Sequence, residues 1–174
     1  MNMTVNDRAR AVATFRFIEV SLMELVATWT PITPEMEAKV MFGRHIWDFA
    51  QHADALGKRT FELRQKEHYT LPADAAYVAL LNRVASMTGT AERISALYEA
   101  VLPGLARRYE SYISATDSIL DEPTIVIMQR IVVDLRRQSA QAHTLLQELG
   151  TVPASQTPLA VEEGRIPHLA DAGA

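Results

Sequence analysis

Apolar residues recur every three or four positions along most of this chain, and sustained apolar–polar alternation is scarce. A three-to-four spacing gathers side chains on one face of an α-helix, whereas a half-buried strand requires a period of two. The expected fold class is therefore all-α. A first helix is expected from about Asn6 to Trp29, ended at Thr30 because Pro31 disfavours helical geometry in the residue before it. A second opens with Thr33 as N-cap, Pro34 at the first helical position, and Glu35 and Glu37 near the positive end of the dipole; it continues to about Gln65. After the polar link from Glu67 to Pro72, a helix runs from Ala73 to about Met87, and Gly89 separates or bends it from another spanning about Thr90 to Ala115. Glu122-Pro123 starts the last long helix, which Gly150 stops. From Thr151 the period is lost among Pro, Gly, Ser and Ala, so 151–174 is expected to be an irregular tail on a domain spanning 1–150. The 174 residues suffice for one domain with a single filled core. Long helices with the middle connection longer than the others match an antiparallel four-helix bundle with one long crossover.

Composition removes several classes of function. The net charge is −4 and no dense basic run is present, so no nucleic-acid partner is expected. The chain has no cysteine, which excludes disulfides, thiolate nucleophiles, iron–sulfur clusters and Cys-ligated zinc. A metal would have to use His, Asp and Glu. The apolar stretch from Phe17 to Trp29 is interrupted by Glu19 and Glu24 and fits neither a signal peptide nor a membrane span. No membrane partner is expected, and the cytoplasm is the expected compartment. The sequence holds no Gly-rich phosphate loop, Gly-x-Ser-x-Gly elbow, His-Glu-x-x-His pair or dinucleotide fingerprint.

The residues with chemistry concentrate on a few helical faces. On the second helix His45, Phe49, His52 and Leu56 share a face, with Asp48 at its edge one turn from both imidazoles. A carboxylate so placed can orient an imidazole and raise its pKa, and it can equally form a structural ion pair. Glu19 falls on the stripe of Phe15, Leu22 and Val26, where a carboxylate requires a partner such as His52, Arg108 or a ligand. Between Thr90 and Ala115 the inward stripe reads Ile94, Leu97, Tyr98, Val101, Leu105, Arg108 and Tyr112, leaving Glu99 and Glu110 on the opposite side. Arg108 could also snorkel outward, and the tyrosines could be core aromatics with wet hydroxyls. Asp134 and Gln138 of the last helix are expected across from this group. Arg136-Arg137 reads as a solvated face.

The run from His45 to Leu56, with Asp121-Glu-Pro-Thr124 leading into Ile131-Val-Val-Asp134, resembles the ferritin-like superfamily of di-iron carboxylate bundle proteins over roughly Phe15 to Leu149. In that class two helices each supply a Glu and two others each supply a Glu-x-x-His, all facing inward. The resemblance places the two motifs at Phe49-Ala-Gln-His52 and Leu135-Arg-Arg-Gln138, and the first-helix Glu at Glu19. Phe49 and Leu135 stand where the carboxylates would be, Gln138 where the second His would be, and the third-helix carboxylate is missing. Only Glu19 and His52 keep liganding types, so the resemblance implies a divergent member whose dinuclear centre is lost, with no metal or other cofactor. It also implies a homodimer, because such bundles commonly bury one helix face in a dimer.

Three functions follow. The first is a small-molecule biosynthetic enzyme doing acid/base chemistry (elimination, isomerisation or cyclisation). His52 or His45 would be the base, Asp48 its orienter, and Glu19 an acid or hydrogen-bond partner. Phe49, Tyr98, Arg108, Asp134, Leu135 and Gln138 would line the substrate pocket. The second is a non-haem iron oxidase or oxygenase, mono- or dinuclear, with ligands rearranged among Glu19, His45, Asp48, His52 and Asp134. The third is a non-catalytic ligand-binding or partner subunit. The first ranks slightly ahead, since Phe49 and Leu135 remove the bridging carboxylates on which di-iron oxygen chemistry depends.

Overall fold

The computed structural model describes residues 3–150 and 155–166, and these are all-helical, with no strand among them. α1 (Val5–Trp29) opens in a capping box: Thr4 accepts from the Asp7 amide through its hydroxyl, and Asp7 accepts from the Thr4 amide. A 3-10 turn, Thr30–Ile32, follows it. α2 (Met36–Glu62) begins later than the Thr33-Pro34 pair suggests. Pro34 holds Thr33 in an extended conformation (ψ 125°), and the Thr33 hydroxyl turns back to the Trp29 carbonyl at 2.8 Å, closing α1 rather than opening α2. Glu35 takes the cap position without a side-chain capping bond, and its carboxylate accepts from the Thr90 hydroxyl at 2.7 Å.

Arg64, at φ 66°, ends the second helix by turning left-handed. The chain then lies back against what precedes it: the His68 amide donates to the Gly57 carbonyl and the Leu71 amide to the Ala13 carbonyl. Gly57 permits that approach, because a Cβ there would overlap the His68 ring. α3 (Ala75–Ala85) is capped by the Asp74 side chain. α4 (Thr90–Ser95), a π-helical turn (Ala96–Val101) and α5 (Leu102–Ala115) follow one another as a single rod. α6 (Glu122–Glu148) starts where the Glu122-Pro123 pair places it.

Cross-helix pairs give the directions. His45 meets Gln141, His52 meets Asp134 and Arg59 meets Thr124, so α2 and α6 are antiparallel. Glu19 meets Tyr109, Phe15 meets Tyr112 and Arg8 meets the Leu120 carbonyl, so α1 opposes α5. The short link between α1 and α2 makes that pair antiparallel too. α2 and α5 consequently run parallel, and the connection 63–89, with α3 in it, returns the chain along the length of the molecule. The faces that meet bury Ile18, Leu22, Phe42, Phe49, Leu97 and Leu135 at 1% exposure or less. Each such side chain contributes about 1.5–3 kcal/mol through burial.

A polar hub ties the far end. The Asp121 carboxylate is fully buried and accepts from the Tyr112, Thr116 and Thr124 hydroxyls and from Arg59. Burial raises its pKa, but these bonds outweigh it and hold the group below 3.8. Asp121 thus stands immediately before α6, whose start the Glu122-Pro123 pair marks, and the hub explains why the residue is an Asp.

The expected irregular tail needs correction. Residues Thr157–Arg165 form a helix, α7, that buries Leu159 and Glu163 against α5 and the π turn. Residues 151–154 and 167–174 of that segment lie outside the described residues. Among the described residues no helix is long and apolar enough to cross a membrane.

Candidate functional site

Polar groups interrupt the apolar core where α1, α2, the α4–α5 rod and α6 face one another. On α2, positions four and seven apart fall on one face. His45, Phe49 and His52 occupy that face at 0%, 0% and 5% exposure. α1 contributes Glu19, the π turn Tyr98, α5 Tyr109, and α6 Asp134, Gln138 and Gln141.

His52 is the centre. Its Nδ1–H donates to Glu19 Oε2 at 3.1 Å and its Nε2–H donates to Asp134 Oδ2 at 3.2 Å. With both carboxylates accepting, both ring nitrogens carry protons and the ring is an imidazolium; with either one donating, it is neutral. Burial lowers its pKa, but the Glu19 charge and the bonds to both carboxylates prevail and hold it above 6.5. The other oxygen of Glu19 accepts from the Tyr109 hydroxyl at 2.7 Å, and the Tyr109 ring stacks on Phe15 with centroids 4.3 Å apart. Burial first, and then the Glu19 charge, pushes the Tyr109 pKa far up, so the phenol stays a donor.

The two carboxylates differ in access. Glu19 is fully buried, whereas the Asp134 side chain is 35% exposed and lines a groove of about 380 Å³ with Val126, Arg130 and Val133. Arg137 donates to both Asp134 (2.8 Å) and Asp48 (2.9 Å), and Gln138 Nε2 donates to the same Asp48 oxygen at 3.0 Å. Burial raises the Asp134 pKa, but the bonds from Arg137 and His52 overcome it and keep it below 3.8. Gln138 is fully buried, and its Oε1 has no hydrogen-bond partner.

His45 belongs to a separate, neutral group. The Tyr98 hydroxyl donates to Nδ1 at 2.8 Å, and Nε2–H donates to Gln141 Oε1 at 2.9 Å, which fixes the tautomer. Burial depresses the His45 pKa below 6.5 against the opposing Gln141 bond. Gln141 lines a cleft of about 450 Å³ between α2 and α6, together with Met41, Arg44 and Leu145. Phe49 lies on α2 between the two histidines, and its ring meets His52 nearly edge-on with centroids 6.3 Å apart. Leu135, at 1% exposure, fills the α6 side.

Most of the residues expected at the site are therefore together, with two differences. Asp48 hydrogen-bonds to neither imidazole; its partners, Arg137 and Gln138, come from α6. An edge position aims a short side chain at the neighbouring helix, so the orienters of His52 are Glu19 and Asp134. Arg108 lies away from Glu19, because its guanidinium pairs with Glu163 of α7. Between the buried Leu105 and Tyr112 of α5, helical spacing allows either Arg108 (three on) or Tyr109 (four on), and the chain buries Tyr109. Sequence reasoning also missed Gln141, Arg137 and Glu163; only Gln141 carried a signal, lying three positions beyond Gln138 on the same face of α6.

Among the described residues no three His, Asp or Glu side chains are grouped as ligands of one ion. Both nitrogens of His52 are engaged in hydrogen bonds, so an ion could bind there only by displacing a carboxylate from the ring. No family model matches the chain, and no curated protein or solved structure matches it.

Proposed function

We propose that the protein is a ferritin-like antiparallel four-helix bundle whose dinuclear metal site has become a metal-free acid–base site, and that it acts by proton transfer on a small organic molecule. The parallel run of α2 and α5 across a long connection supports the bundle assignment, because a bundle with one crossover requires it. The observation that carries the functional reading is the clamp: one imidazole with each nitrogen on a carboxylate, one carboxylate dry and the other at the surface. A cation made of protein occupies the level where the resembling class holds its ions. Phe49 and Leu135, apolar at two former carboxylate positions, keep water away from it.

The clamp can conduct a proton. His52 releases its Nδ1 proton to Glu19, whose other oxygen Tyr109 holds, and the ring, with a nitrogen then free, regains a proton through Asp134, which exchanges with water. Glu19 is the group that would meet substrate, and elimination, isomerisation or cyclisation needs only such a supply and return of protons. A positioned acid or base contributes about 10²–10⁴ in rate. Wild type and His52→Gln are incubated with a mixed metabolite extract in D₂O and profiled by mass spectrometry. At least one compound should be consumed or labelled by wild type faster than by the variant, by about that factor. If no compound shows a His52-dependent change, the reading fails. Elemental analysis of protein produced with iron and manganese supplied provides the second check; a stoichiometric metal overturns the metal-free site.

A further inference from the structure

Glu163 is a carboxylate on a nine-residue helix, buried to 1% exposure, and it does not belong to the network around His52. Arg108 Nε donates to its Oε1 at 2.5 Å, Arg108 Nη2 donates to its backbone carbonyl at 2.6 Å, and Arg107 Nη2 approaches its Oε2 at 3.5 Å. The carboxyl group lies against Gly104, where any Cβ would overlap it. Residue 104 is thus the floor of a cradle shaped for a carboxylate. Beside it Tyr77 is fully buried, the Arg108 guanidinium sits over its ring at 5.5 Å, and the Tyr77 hydroxyl has no hydrogen-bond partner. An unpaired buried hydroxyl next to a bound carboxylate is a donor that the present occupant leaves unused.

We infer that Arg107, Arg108, Tyr77 and Gly104 form a binding site for the carboxylate of a small organic acid, and that Glu163 of α7 occupies it in the ligand-free state. α7 is lightly held for such a role: apart from Glu163, its buried side chains within the described residues are Leu159 and the adjoining Ile166. The Arg83–Glu162 pair at its edge is exposed on both sides and contributes little. Burial raises the Tyr77 pKa first, and the charges of Glu163 and Glu19 add to it, so the phenol lies near both carboxylates. A ligand whose carboxylate displaces Glu163 would meet Arg108 and, beside it, Tyr77. That this ligand is the substrate of the acid–base centre rests on the function proposed above; that the site takes a carboxylate does not.

A tethered carboxylate competes with a free one at an effective concentration in the millimolar range, and only the fraction of molecules with α7 displaced is competent to bind. Titration calorimetry with glutarate as probe compares wild type, Glu163→Gln and Glu163→Gln/Arg108→Gln. Glu163→Gln should bind glutarate at least about 10-fold tighter than wild type, and the added Arg108 substitution should abolish binding. Equal affinity in wild type and Glu163→Gln, or equal binding of neutral glutaramide, overturns the site. Should Glu163→Gln fail to fold, hydrogen exchange on wild type decides: saturating glutarate should speed exchange of amides 157–165 and glutaramide should not. Unchanged exchange overturns the proposal. Glutarate binding by a protein whose His52 proves neutral keeps this site and removes the acid–base reading; a protonated His52 without glutarate binding does the reverse.

Discussion

Tyr109→Phe isolates a single bond of the central network. Phenylalanine preserves the ring and its 4.3 Å stack on Phe15, and removes only the hydroxyl that donates to Glu19 Oε1 at 2.7 Å. The acceptor is a carboxylate with no solvent exposure, so the lost bond is charge-assisted and no water replaces it. Such bonds contribute about 1.5–3 kcal/mol. At roughly 2–4 °C per kcal/mol for a chain of this size, the Tm should fall by about 3–12 °C. Tyr77→Phe is the matched control, since Tyr77 is equally buried and its hydroxyl has no partner. Deleting an unsatisfied hydroxyl should leave stability within about 0.5 kcal/mol of wild type or raise it. Urea unfolding followed by circular dichroism measures both, provided the m-values agree. A Tyr109→Phe variant within about 0.5 kcal/mol of wild type, or a Tyr77→Phe variant as costly as Tyr109→Phe, would refute the account of which buried hydroxyls hold the core.

Two further outcomes follow from the same geometry. The buried histidines oppose each other in pH: His52, raised above 6.5, favours the native state below that value and loses this contribution as pH rises through its native pKa, while His45, lowered below 6.5, favours the native state above that value and loses it as pH falls. Stability should therefore peak near pH 6.5, His52→Gln should remove the alkaline decline and His45→Gln the acid-side one, and a monotonic profile in wild type would contradict both assignments. Under the proposed reading, introducing liganding types by Phe49→Glu, Leu135→Glu and Gln138→His together should increase iron or manganese uptake measured by elemental analysis; a folded triple variant with no gain counts against the proposed placement of a lost metal site.

The elements that the sequence made legible are those with local punctuation. Pro31, Gly89 and Glu122-Pro123 mark boundaries that the chain uses, and the His45–Phe49–His52 face and Glu19 were placed correctly because a helix of regular period puts them inside. The π turn at Ala96–Val101 has no comparable signature, and after Leu105 the spacing alone did not choose between Arg108 and Tyr109, of which the chain buries Tyr109. Asp48 was assigned to the imidazoles of its own helix because spacing along one helix is visible in sequence, whereas the arrival of Arg137 and Gln138 from α6 depends on packing. α7 was hidden for a third reason. With few buried side chains in a segment bearing Pro158 and Gly164, it has too short an apolar pattern to stand out, and its key contact is a carboxylate.

The charge on His52 tests the central claim most directly. Nitrogen NMR of protein labelled in its histidines distinguishes a ring with two N–H groups from a neutral tautomer, and the His52 resonances can be assigned through Glu19→Gln, which alters the partner of Nδ1. An ordinary histidine is half protonated at pH 6.5. The account predicts that His52 is mostly doubly protonated at that pH, with a midpoint above it that drops in Glu19→Gln. A His52 that is mostly neutral at pH 6.5 would mean that no protein cation stands at the centre of the core, and the metal-free acid–base site would fall with it.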